Sequence, residues 1–362
     1  MQVLQVTPRY FPNIGGVETV VQKISEMLAM RGISVTVYSV DFNLKLLKQE
    51  KINGVIVKRF KPLVGDPFYI PEPSFIKSIR EENAEIFHIH NIHTLLSFLT
   101  ILLKRKNQKV VLQPHYHRFG QNPTRHLLLN IYKRAFNMLA FPYTDRIIVN
   151  SYYERKIFRE DFPRFKNVLL IPEGIVIDEL RSVKWDPEKS VRILYVGGLR
   201  RYKNVDKLIK AFARLVKMEK GEFKLVIVGS GSELERLVNL AKKLGVMNLI
   251  EWKQNLSRRQ LLLEYSKASV FVLLSPLESF SRVVYEALVI GVPTVVLNFG
   301  ATANLVKDKL AIGVNTLNPD EIANAVLKAL QRTKPRTIKD QKNFLDWEEY
   351  LDKILEVYYA LL

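Results

Sequence analysis

The most regular feature of the chain is a short run of apolar, largely β-branched residues followed by a turn and an amphipathic helix, repeated along its length. Runs of this kind predict buried strands, and their alternation with helices predicts a parallel α/β sheet with helices on its faces. A first block of predicted strands comprises residues 3–6, 35–39, 55–59, 86–89, 110–113, 146–150 and 168–171.

The pattern is interrupted once, in the polar stretch 177–190, which carries Asp186-Pro187. It restarts with predicted strands at 192–196, 224–228, 249–252, 270–273 and 293–297. A chain of 362 residues is longer than one hydrophobic core usually supports. We therefore expect two doubly wound, Rossmann-like domains, with ligands at the carboxyl ends of the strands and an active site in an interdomain cleft.

Two further helices are predicted from the spacing of apolar residues. The segment 121–143 combines apolar residues with Arg125, Lys133 and Arg134, so it predicts a basic amphipathic helix that either packs on the core or rests on anionic lipid. The segment 344–362 predicts a final helix with an apolar face to bury.

The composition fits a folded, enzyme-sized protein, because 48% of the residues are hydrophobic and 25% are charged. There is no cysteine, which excludes disulfides and thiolate metal sites. The sequence begins with the strand-like residues 2–6 rather than with a signal peptide. Its longest apolar run, 95–103, is too short to span a bilayer of about 30 Å. We expect a cytoplasmic protein without a transmembrane helix.

The formal net charge of +19 is the unusual bulk property. Residues 101–168 contain 14 Lys or Arg and 4 Asp or Glu, and so carry +10 of this charge. A local basic surface favours an anionic partner, although a solvated face of a thermostable protein has the same composition. A peripheral position at the anionic inner face of the cell membrane is therefore one expectation.

Glycines occur at three turns between a predicted strand and a predicted helix. Glycine lets the backbone approach a ligand closely, and amides at a helix start attract phosphate, although a tight turn without a ligand needs glycine too. Basic side chains that follow such a turn in the sequence could bind a diphosphate. The turns are Gly15-Gly16, Gly197-Gly198 followed by Arg200, Arg201 and Lys203, and Gly229-Ser230-Gly231.

Two carboxylates mark the end of another predicted strand. Glu278 lies in the loop Glu278-Ser279-Phe280-Ser281, and Glu286 lies on the helix that follows. The small serines leave amides accessible at the helix start, which suits a phosphate or a sugar hydroxyl. Glu286 is flanked by apolar residues and needs a partner. A ribose diol would serve, because one carboxylate accepts two hydroxyl hydrogens.

All six histidines lie within residues 88–126, most of them at the ends of two successive predicted strands. A metal site is the obvious alternative for such a cluster, but the alternating pattern has no acidic ligand nearby in the sequence, and no Asp-x-Asp pair occurs. We expect no metal, so that amides and cations must meet the charge of a leaving diphosphate. The strand-end histidines are His88, His90, His93, His115 and His117.

Taken in order, these elements resemble the family 4 glycosyltransferases, also called group 1 glycosyltransferases, nearly from end to end. The motifs that carry the resemblance are Gly15-Gly16-Val17-Glu18, Arg31-Gly32, His88-Ile89-His90, His115, Asn150-Ser151, Pro172-Glu173-Gly174, the segment 197–203, Gly229-Ser230-Gly231, Glu278 with Glu286, Gly291-Val292-Pro293, and Trp347 with Tyr358.

The resemblance implies a GT-B fold with domains at 1–176 plus 345–362 and at 177–344, the final helix returning to the first domain. It implies transfer of a sugar from a nucleotide-diphosphate sugar, held mainly by the second domain, to a hydroxyl of a glycan, glycolipid or small molecule, held mainly by the first. The reaction would retain the anomeric configuration and would need neither a metal nor a further cofactor.

The resemblance also implies roles for single residues. His115 would lie near the reacting sugar and Glu278 beside the donor sugar. Lys203 would bind the diphosphate and Glu286 the ribose. The other predicted donor-binding residues are Gly15, Gly16, Gly197, Arg200, Arg201, Gly229, Ser279, Phe280 and Ser281.

Three positions depart from the family pattern. Gly198 stands where many relatives carry a phosphate-binding arginine, so Arg200 or Arg201 would have to supply that cation. Ser281 replaces a common glycine, and Tyr116 follows the histidine where aspartate is frequent.

Two other functions stay open at this point. A sugar-nucleotide epimerase has the same two-domain architecture and would consume its donor without an acceptor. A nucleic-acid-binding protein would account for the positive charge but would leave the glycine turns and the paired glutamates without a purpose. We therefore expect no nucleic acid.

Overall fold

The computed structural model describes residues 1–13, 15–41, 46–65, 68–118, 123–331 and 344–362, with the side chains of 123–126 excepted. The chain forms two compact units. The first comprises Met1–Gly174 and Trp347–Leu362, and the second comprises Ile175–Asp346.

The first unit alternates strands and helices as its sequence pattern predicts. A 3-10 turn, Phe141–Tyr143, follows its fourth helix. The elements are, in chain order, β1 (Gln2–Val6), α1 (Gly16–Met30), β2 (Ser34–Val40), β3 (Gln49–Ile52), β4 (Val55–Phe60), β5 (Pro62–Val64), β6 (Ile70–Pro71), α2 (Ser74–Glu81), β7 (Ile86–His90), α3 (Leu95–Leu103), β8 (Lys109–Gln113), α4 (Pro123–Leu139), β9 (Arg146–Val149), α5 (Tyr152–Asp161) and β10 (Val168–Leu170).

Eight of these strands form one sheet with the order β10-β9-β8-β7-β1-β2-β4-β3. Neighbouring strands are parallel except β3 and β4, and β1 lies centrally with Val3 opposite both Val35 and Ile86. Helices cover both faces of a parallel sheet, which is why all five residues of β7 are buried. The apolar strand runs thus encode the sheet, and the α/β prediction is confirmed for this unit.

The edge strand β3 was not predicted. Its residues, from Gln49 to Ile52, are mostly polar and half exposed, so they lack the apolar run that marks a buried strand. A different signal was present. Asn53 and Gly54 join β3 to β4 with φ angles of 48° and 87°, as a two-residue hairpin requires.

The chain continues with β11 (Gly174–Ile175), α6 (Ile177–Ser182), β12 (Val191–Val196), α7 (Val205–Met218), β13 (Phe223–Val228), α8 (Leu234–Lys243), β14 (Ile250–Lys253), α9 (Arg258–Lys267), β15 (Val270–Leu273), α10 (Arg282–Ile290), β16 (Thr294–Leu297), α11 (Ala303–Lys307), β17 (Ile312–Val314), α12 (Pro319–Leu330), β18 (Leu345–Asp346) and α13 (Trp347–Tyr359). Short 3-10 turns at Arg201–Lys203, Met247–Leu249 and Gly300–Thr302 complete this half.

The second unit is a six-stranded parallel sheet with the order β14-β13-β12-β15-β16-β17. Its core is formed by the fully buried strands and by the apolar faces of the helices, α7 and α10 above all. The prediction of a second doubly wound sheet is confirmed. The strand β17 was missed because its three residues are too few to give a pattern.

One predicted break and two predicted helix boundaries need correction. The polar stretch 177–190 contains α6, because Ile177 and Leu180 are buried in the second core. The final helix begins at Trp347 rather than at 344, since Phe344 is packed in the second core and β18 follows it. The predicted helix 121–143 is α4, which begins at Pro123; residues 121 and 122 lie outside the described ranges.

The helix α13 belongs to the first unit, and one glycine makes room for it. A Cβ on Gly174 would lie 2.7 Å from the ring of Trp347, so only glycine allows the ring to pack there. On the polar side, Arg31, which follows α1, donates to Glu348 and Asp352 of α13 at 2.5 Å. In the part of the chain that the structure describes, no helix is long and apolar enough to cross a membrane.

Candidate active site

The sheet of the second unit has a switch point beside β12. The chain runs from β12 through β13 to β14 on one side, and then continues on the other side with β15, β16 and β17. The loops after β12 and β15 therefore leave adjacent strands in opposite directions, which is where open α/β sheets bind ligands. Lys203 and Glu278 lie on these two loops.

Lys203 and Glu278 form an ion pair that joins the two loops. Their side chains are only 16% and 13% exposed. Burial lowers the pKa of Lys203, but the Glu278 carboxylate outweighs burial and raises this pKa above its ordinary value. Asn204 joins the loops a second time by donating from Nδ2 to the carbonyl of Leu274 over 2.8 Å. A cation and a carboxylate are thus held in contact at the switch point.

The two arginines of the same loop differ in environment. Arg200 is half-buried and close enough to oppose the charge of Lys203, whereas Arg201 is exposed. Among the described residues, neither guanidinium has a hydrogen-bond or ion-pair partner. At Gly198, an added Cβ would meet only the carbonyl of Ser230, at 3.9 Å. Of the two candidates for the missing cation, Arg200 therefore lies nearer to the Lys203 ion pair.

The glycines of the second unit bring two loops together. Gly197 and Gly229 have φ angles of 154° and 149°, and a Cβ on Gly229 would lie 2.0 Å from the carbonyl oxygen of Gly197. A Cβ on Gly231 would lie 2.3 Å from the carbonyl oxygen of Leu199. Only glycine permits such a backbone contact. Because the amides of Gly197 and Gly229 already donate to main-chain carbonyls, these residues would shape a donor site rather than bind through their N–H groups.

The loop after β15 ends at Ser281, which immediately precedes α10. Ser281 has a φ of 77°, in the left-handed region that glycine favours. Its Oγ is buried and has no hydrogen-bond partner among the described residues. Phe280 is buried and stacks on Tyr285 with 4.5 Å between ring centroids, while Ser279 is half-buried. The stack fixes this loop at the positive end of the α10 dipole.

Glu286 has partners that the sequence did not indicate. Its Oε1 accepts from Arg258 Nη1 at 2.7 Å, and its Oε2 accepts from the hydroxyl of Tyr265 at 3.2 Å. Arg258 also donates from Nε to Glu179 at 2.8 Å. Burial lowers the pKa of Arg258, but Glu286 and Glu179 outweigh burial and raise it. Each oxygen of Glu286 keeps a second lone pair, so the carboxylate can still accept from the two hydroxyls of a diol.

The first unit has its own switch point, between β1 and β7. The loop after β1 leads to Gly15, and α1 begins at Gly16. Gly15 is extended, and a Cβ there would meet only the carboxylate of Glu18, at 2.1 Å from Oε2. Among the described atoms, none lies within 4 Å of an added Cβ at Gly16. The Glu18 carboxylate therefore lies over the turn at Gly15.

His115 follows β8 with a φ of 45° and a side chain that is 6% exposed. Glu154, at the start of α5, holds the backbone around it. Its Oε1 accepts from the amide of Tyr116 at 2.5 Å, and its Oε2 accepts from the amide of Asn150 at 2.7 Å. Burial raises the pKa of Glu154 to about 8, although the two amide hydrogen bonds act in the opposite direction.

The imidazole of His115 lies among residues from three other segments. Its Nδ1 is 3.2 Å from Asn150 Nδ2 and 3.8 Å from Glu173 Oε1, and its Nε2 is 3.5 Å from His90 Nδ1. Asn150 and Glu173 stood out in the sequence only as family motifs, and Glu154 did not stand out at all. Asn150 directly follows β9, and Glu173 follows β10 after Ile171 and Pro172; the carboxyl ends of both strands lie on the same edge of the sheet as that of β8.

The expectation that the histidines lack an acidic neighbour needs correction. It holds along the sequence, but the parallel strands bring Glu173 next to His115 in space. His88 and His90 are fully buried and have their rings 4.3 Å apart. Among the described residues, no group of three or more His, Cys, Asp or Glu side chains is arranged to hold a metal ion.

Comparisons with known families cover both units. The model of Glycosyltransferase Family 4 matches residues 14–179, and the model of Glycosyl transferases group 1 matches residues 176–344.

Similar sequences carry glycosyltransferase names. An uncharacterized glycosyltransferase of Methanocaldococcus jannaschii is 27% identical over 358 residues, which cover 91% of this chain and 89% of that protein. A second one from this organism is 27% identical over 256 residues, or 64% of each chain. The alpha-monoglucosyldiacylglycerol synthase of Streptococcus pneumoniae is 22% identical over 99% of this chain and 85% of its own length.

Two solved structures show the same fold. The sucrose-phosphate synthase of Thermosynechococcus elongatus has a TM-score of 0.80 at 19% identity, over 99% of this chain and 98% of its own. The Anabaena protein HepE in complex with UDP and glucose has a TM-score of 0.76 at 18% identity, over 99% of this chain and 100% of its own.

Two Rossmann-like units, each a parallel sheet with a switch point, and these structural neighbours define the fold as GT-B. The chain belongs to the family 4, or group 1, glycosyltransferases. It is accordingly an enzyme that transfers a glycosyl group, and the epimerase and nucleic-acid-binding alternatives are not favoured.

Proposed function

We propose that this glycosyltransferase moves a sugar from a nucleotide-diphosphate sugar to an acceptor hydroxyl, with retention of the anomeric configuration and without a metal. The observation that carries the donor assignment is the Lys203–Glu278 ion pair at the switch point of the second unit, with Arg200 beside it. The structurally similar HepE protein was solved in complex with UDP and glucose, which are ligands of this chemical class. Family membership supports retention.

On the donor side, Lys203 and Arg200 bind the diphosphate together with the amides at the start of α10, including those of Phe280 and Ser281. Glu278 accepts hydrogen bonds from hydroxyls of the donor sugar. Glu286, oriented by Arg258 and Tyr265, accepts from the two ribose hydroxyls. Gly197 and Gly229 let the loops after β12 and β13 approach each other. Ser279 and the exposed Arg201 lie at the margin of the proposed donor site.

The chemical step breaks the bond between the sugar C1 and the diphosphate oxygen. Charge builds up on that oxygen, and Lys203, Arg200 and the α10 amides stabilise it better than they stabilise the intact donor. Because these groups already supply positive charge, the proposal needs no metal ion. The acceptor hydroxyl attacks C1 from the face that the diphosphate leaves, which retains the configuration, and its proton passes to the departing diphosphate oxygen.

The first unit is proposed to serve the acceptor and the reacting sugar. His115 would act near the reacting sugar, and the backbone of Gly15 and Gly16 is proposed to bind the donor phosphates. The relative from Streptococcus pneumoniae is named for a diacylglycerol product. With the exposed apolar residues of α4, this name supports a lipid-linked or membrane-associated acceptor.

A sugar-nucleotide screen tests the donor assignment. Thermal shifts of the full chain are measured with a panel of nucleotide-diphosphate sugars, because a bound donor raises the melting temperature by mass action. We expect a shift with at least one donor, its loss in Lys203→Met, and its retention in the matched control Lys217→Met on the exposed side of α7. A shift that persists in Lys203→Met would remove Lys203 from the site.

Turnover is then followed by NMR with candidate acceptors, with and without EDTA. We expect a product of unchanged anomeric configuration that forms equally in EDTA. An inverted product, or loss of activity in EDTA that added metal restores, would overturn the corresponding part of the proposal. Conversion of the donor without any acceptor would indicate the epimerase instead.

A further inference from the structure

The side-chain amide of Asn150 has a fixed orientation. Its Nδ2 lies 3.1 Å from Glu173 Oε1, and its Oδ1 lies 2.7 Å from Gln113 Nε2. The NH2 of Asn150 donates to the carboxyl oxygen of Glu173, and its carbonyl oxygen accepts from Gln113 Nε2.

This orientation determines where His115 carries its proton. The NH2 of Asn150 lies 3.2 Å from His115 Nδ1. Since an NH2 group only donates, Nδ1 must accept with its lone pair. A neutral imidazole has one N–H, so the proton of His115 is on Nε2.

The contacts on the other side of His115 agree with the same tautomer. His115 Nε2 is 3.5 Å from His90 Nδ1, and His90 Nε2 is 2.7 Å from Gln5 Oε1. The carbonyl oxygen of Gln5 accepts, so His90 is protonated on Nε2 and its Nδ1 is the acceptor facing His115. Gln5 Nε2 in turn lies 3.4 Å from the hydroxyl of Tyr358 of α13.

His90 also remains neutral in this environment. It is completely buried, and burial lowers its pKa well below the ordinary value. The Glu173 carboxylate is 3.8 Å from His115 Nδ1, which is longer than an ordinary hydrogen bond, whereas Asn150 Nδ2 is within hydrogen-bond distance of both groups. The Asn150 amide rather than the carboxylate is therefore the partner of Nδ1.

We propose that Asn150 is a positioning residue of the transfer reaction, which holds His115 as a neutral imidazole protonated on Nε2. In this form His115 donates a hydrogen bond to a sugar hydroxyl and does not act as a general base through Nδ1. The inference rests on the proposed role of His115 near the reacting sugar.

The tautomer is measured by ¹⁵N NMR on the full chain labelled at histidine, with His115→Gln used to assign the signals. We expect the unmodified protein to show His115 with an unprotonated Nδ1 and a protonated Nε2. A proton on Nδ1 of His115 would overturn the inference, and this measurement requires neither activity nor an Asn150 variant.

Asn150→Asp replaces the NH2 donor by an acceptor of the same shape. We expect a proton to appear on His115 Nδ1 and kcat to fall on the order of 100-fold, with the donor KM within about threefold of normal, because imidazole geometry rather than donor binding is altered. Asn53→Asp is the matched control, since Asn53 also donates to a glutamate, Glu26, at 2.8 Å. It should change neither the tautomer nor kcat.

The two proposals fail in distinguishable ways. If the unmodified protein transfers no sugar, the proposed function fails, whereas the tautomer can still be read. If the protein transfers sugar and Asn150→Asp keeps full kcat, the positioning role of Asn150 is overturned while the function stands. If Asn150→Asp does not fold, the tautomer of the unmodified protein decides.

Discussion

Single residues of the second unit divide into those that supply charge and those that supply shape. Lys203 and Arg200 are cations close together on one loop, with Glu278 balancing Lys203. Gly229 and Gly231 contribute by lacking a side chain where two loops touch. The distinction matters because replacing a charged residue should alter ligand affinity, whereas replacing one of these glycines should disturb the fold itself.

The arginine that replaces the missing cation at Gly198 can be identified by two substitutions. We expect Arg200→Ala to weaken donor binding by about 10-fold or more, as loss of a charge-assisted hydrogen bond of about 1.5–3 kcal/mol implies. Arg201→Ala is the matched control and should change the donor Kd less than about twofold, because Arg201 is exposed. Calorimetric titration measures both. Unchanged affinity in both variants would rule out either arginine as the substitute.

The conformation of Ser281 leads to a prediction about the stability of the fold rather than about donor affinity. Its φ of 77° strains a residue with a Cβ, and its buried Oγ lacks a partner among the described residues. Glycine removes both penalties but adds entropy to the unfolded chain. We expect Ser281→Gly to raise the free energy of unfolding by about 1 kcal/mol, measured by urea denaturation. A less stable variant would show that the serine side chain has a favourable contact after all.

At the level of elements, α4 is unusual because it exposes apolar residues. Leu127, Ile131 and Met138 are 62%, 61% and 71% exposed, and they recur at helical spacing on one side. Arg134 is exposed between them, whereas Phe136 is fully buried against the first core. The helix therefore packs on the core through one face and presents a second apolar face with a basic residue.

We expect this face of α4 to bind vesicles that contain anionic lipid, and to release them as salt is raised, because each basic residue near the surface contributes about 1 kcal/mol. Ile131→Asp should weaken binding, measured by vesicle sedimentation. Met30→Asp, at an equally exposed apolar residue of α1, is the control and should not. Failure of the unmodified protein to bind at low salt would contradict the prediction.

The element patterns also explain which strands the sequence could reveal. A strand buried on both faces, such as β7 or β15, is a continuous apolar run and is recognised from composition alone. The edge strand β3 has no such run, and its turn at Asn53-Gly54 was the stronger signal. Ile177 and Leu180 likewise form too short a pattern to separate α6 from the polar residues around it.

For the molecule as a whole, buried titratable groups predict how stability depends on pH. Burial lowers the pKa of His88 to about 3 and that of His90 well below its ordinary value. Below about pH 6.5 these histidines bind a proton in the unfolded chain but stay neutral in the folded protein. The free energy of unfolding therefore decreases as the pH falls towards 3. Burial raises the pKa of Glu154 to about 8, so stability is lost as the pH rises from about 4.5 to 8.

We therefore expect the contribution of these three groups to stability to peak near pH 6.5, with slopes of about 1.4 kcal/mol per pH unit for each group. Glu154→Gln should reduce the loss of stability above about pH 6.5. His88→Gln should remove about half of the stability loss that His88 and His90 cause below about pH 6.5. Urea denaturation across the pH range measures both. Glu81→Gln, at an exposed carboxylate of α2, is the control and should leave the profile unchanged.

By itself, the sequence determined the two parallel sheets, the family and most of the candidate donor residues. A central strand is buried on both faces, so its sequence is a continuous apolar run. The loops after these strands are contiguous in sequence, so their motifs can be recognised directly. The tertiary structure alone decided which partners meet. It paired Lys203 with Glu278 and Arg258 with Glu286, and it placed Asn150 within hydrogen-bond distance of both His115 and Glu173. Such pairs depend on strand order and register, which no local pattern encodes.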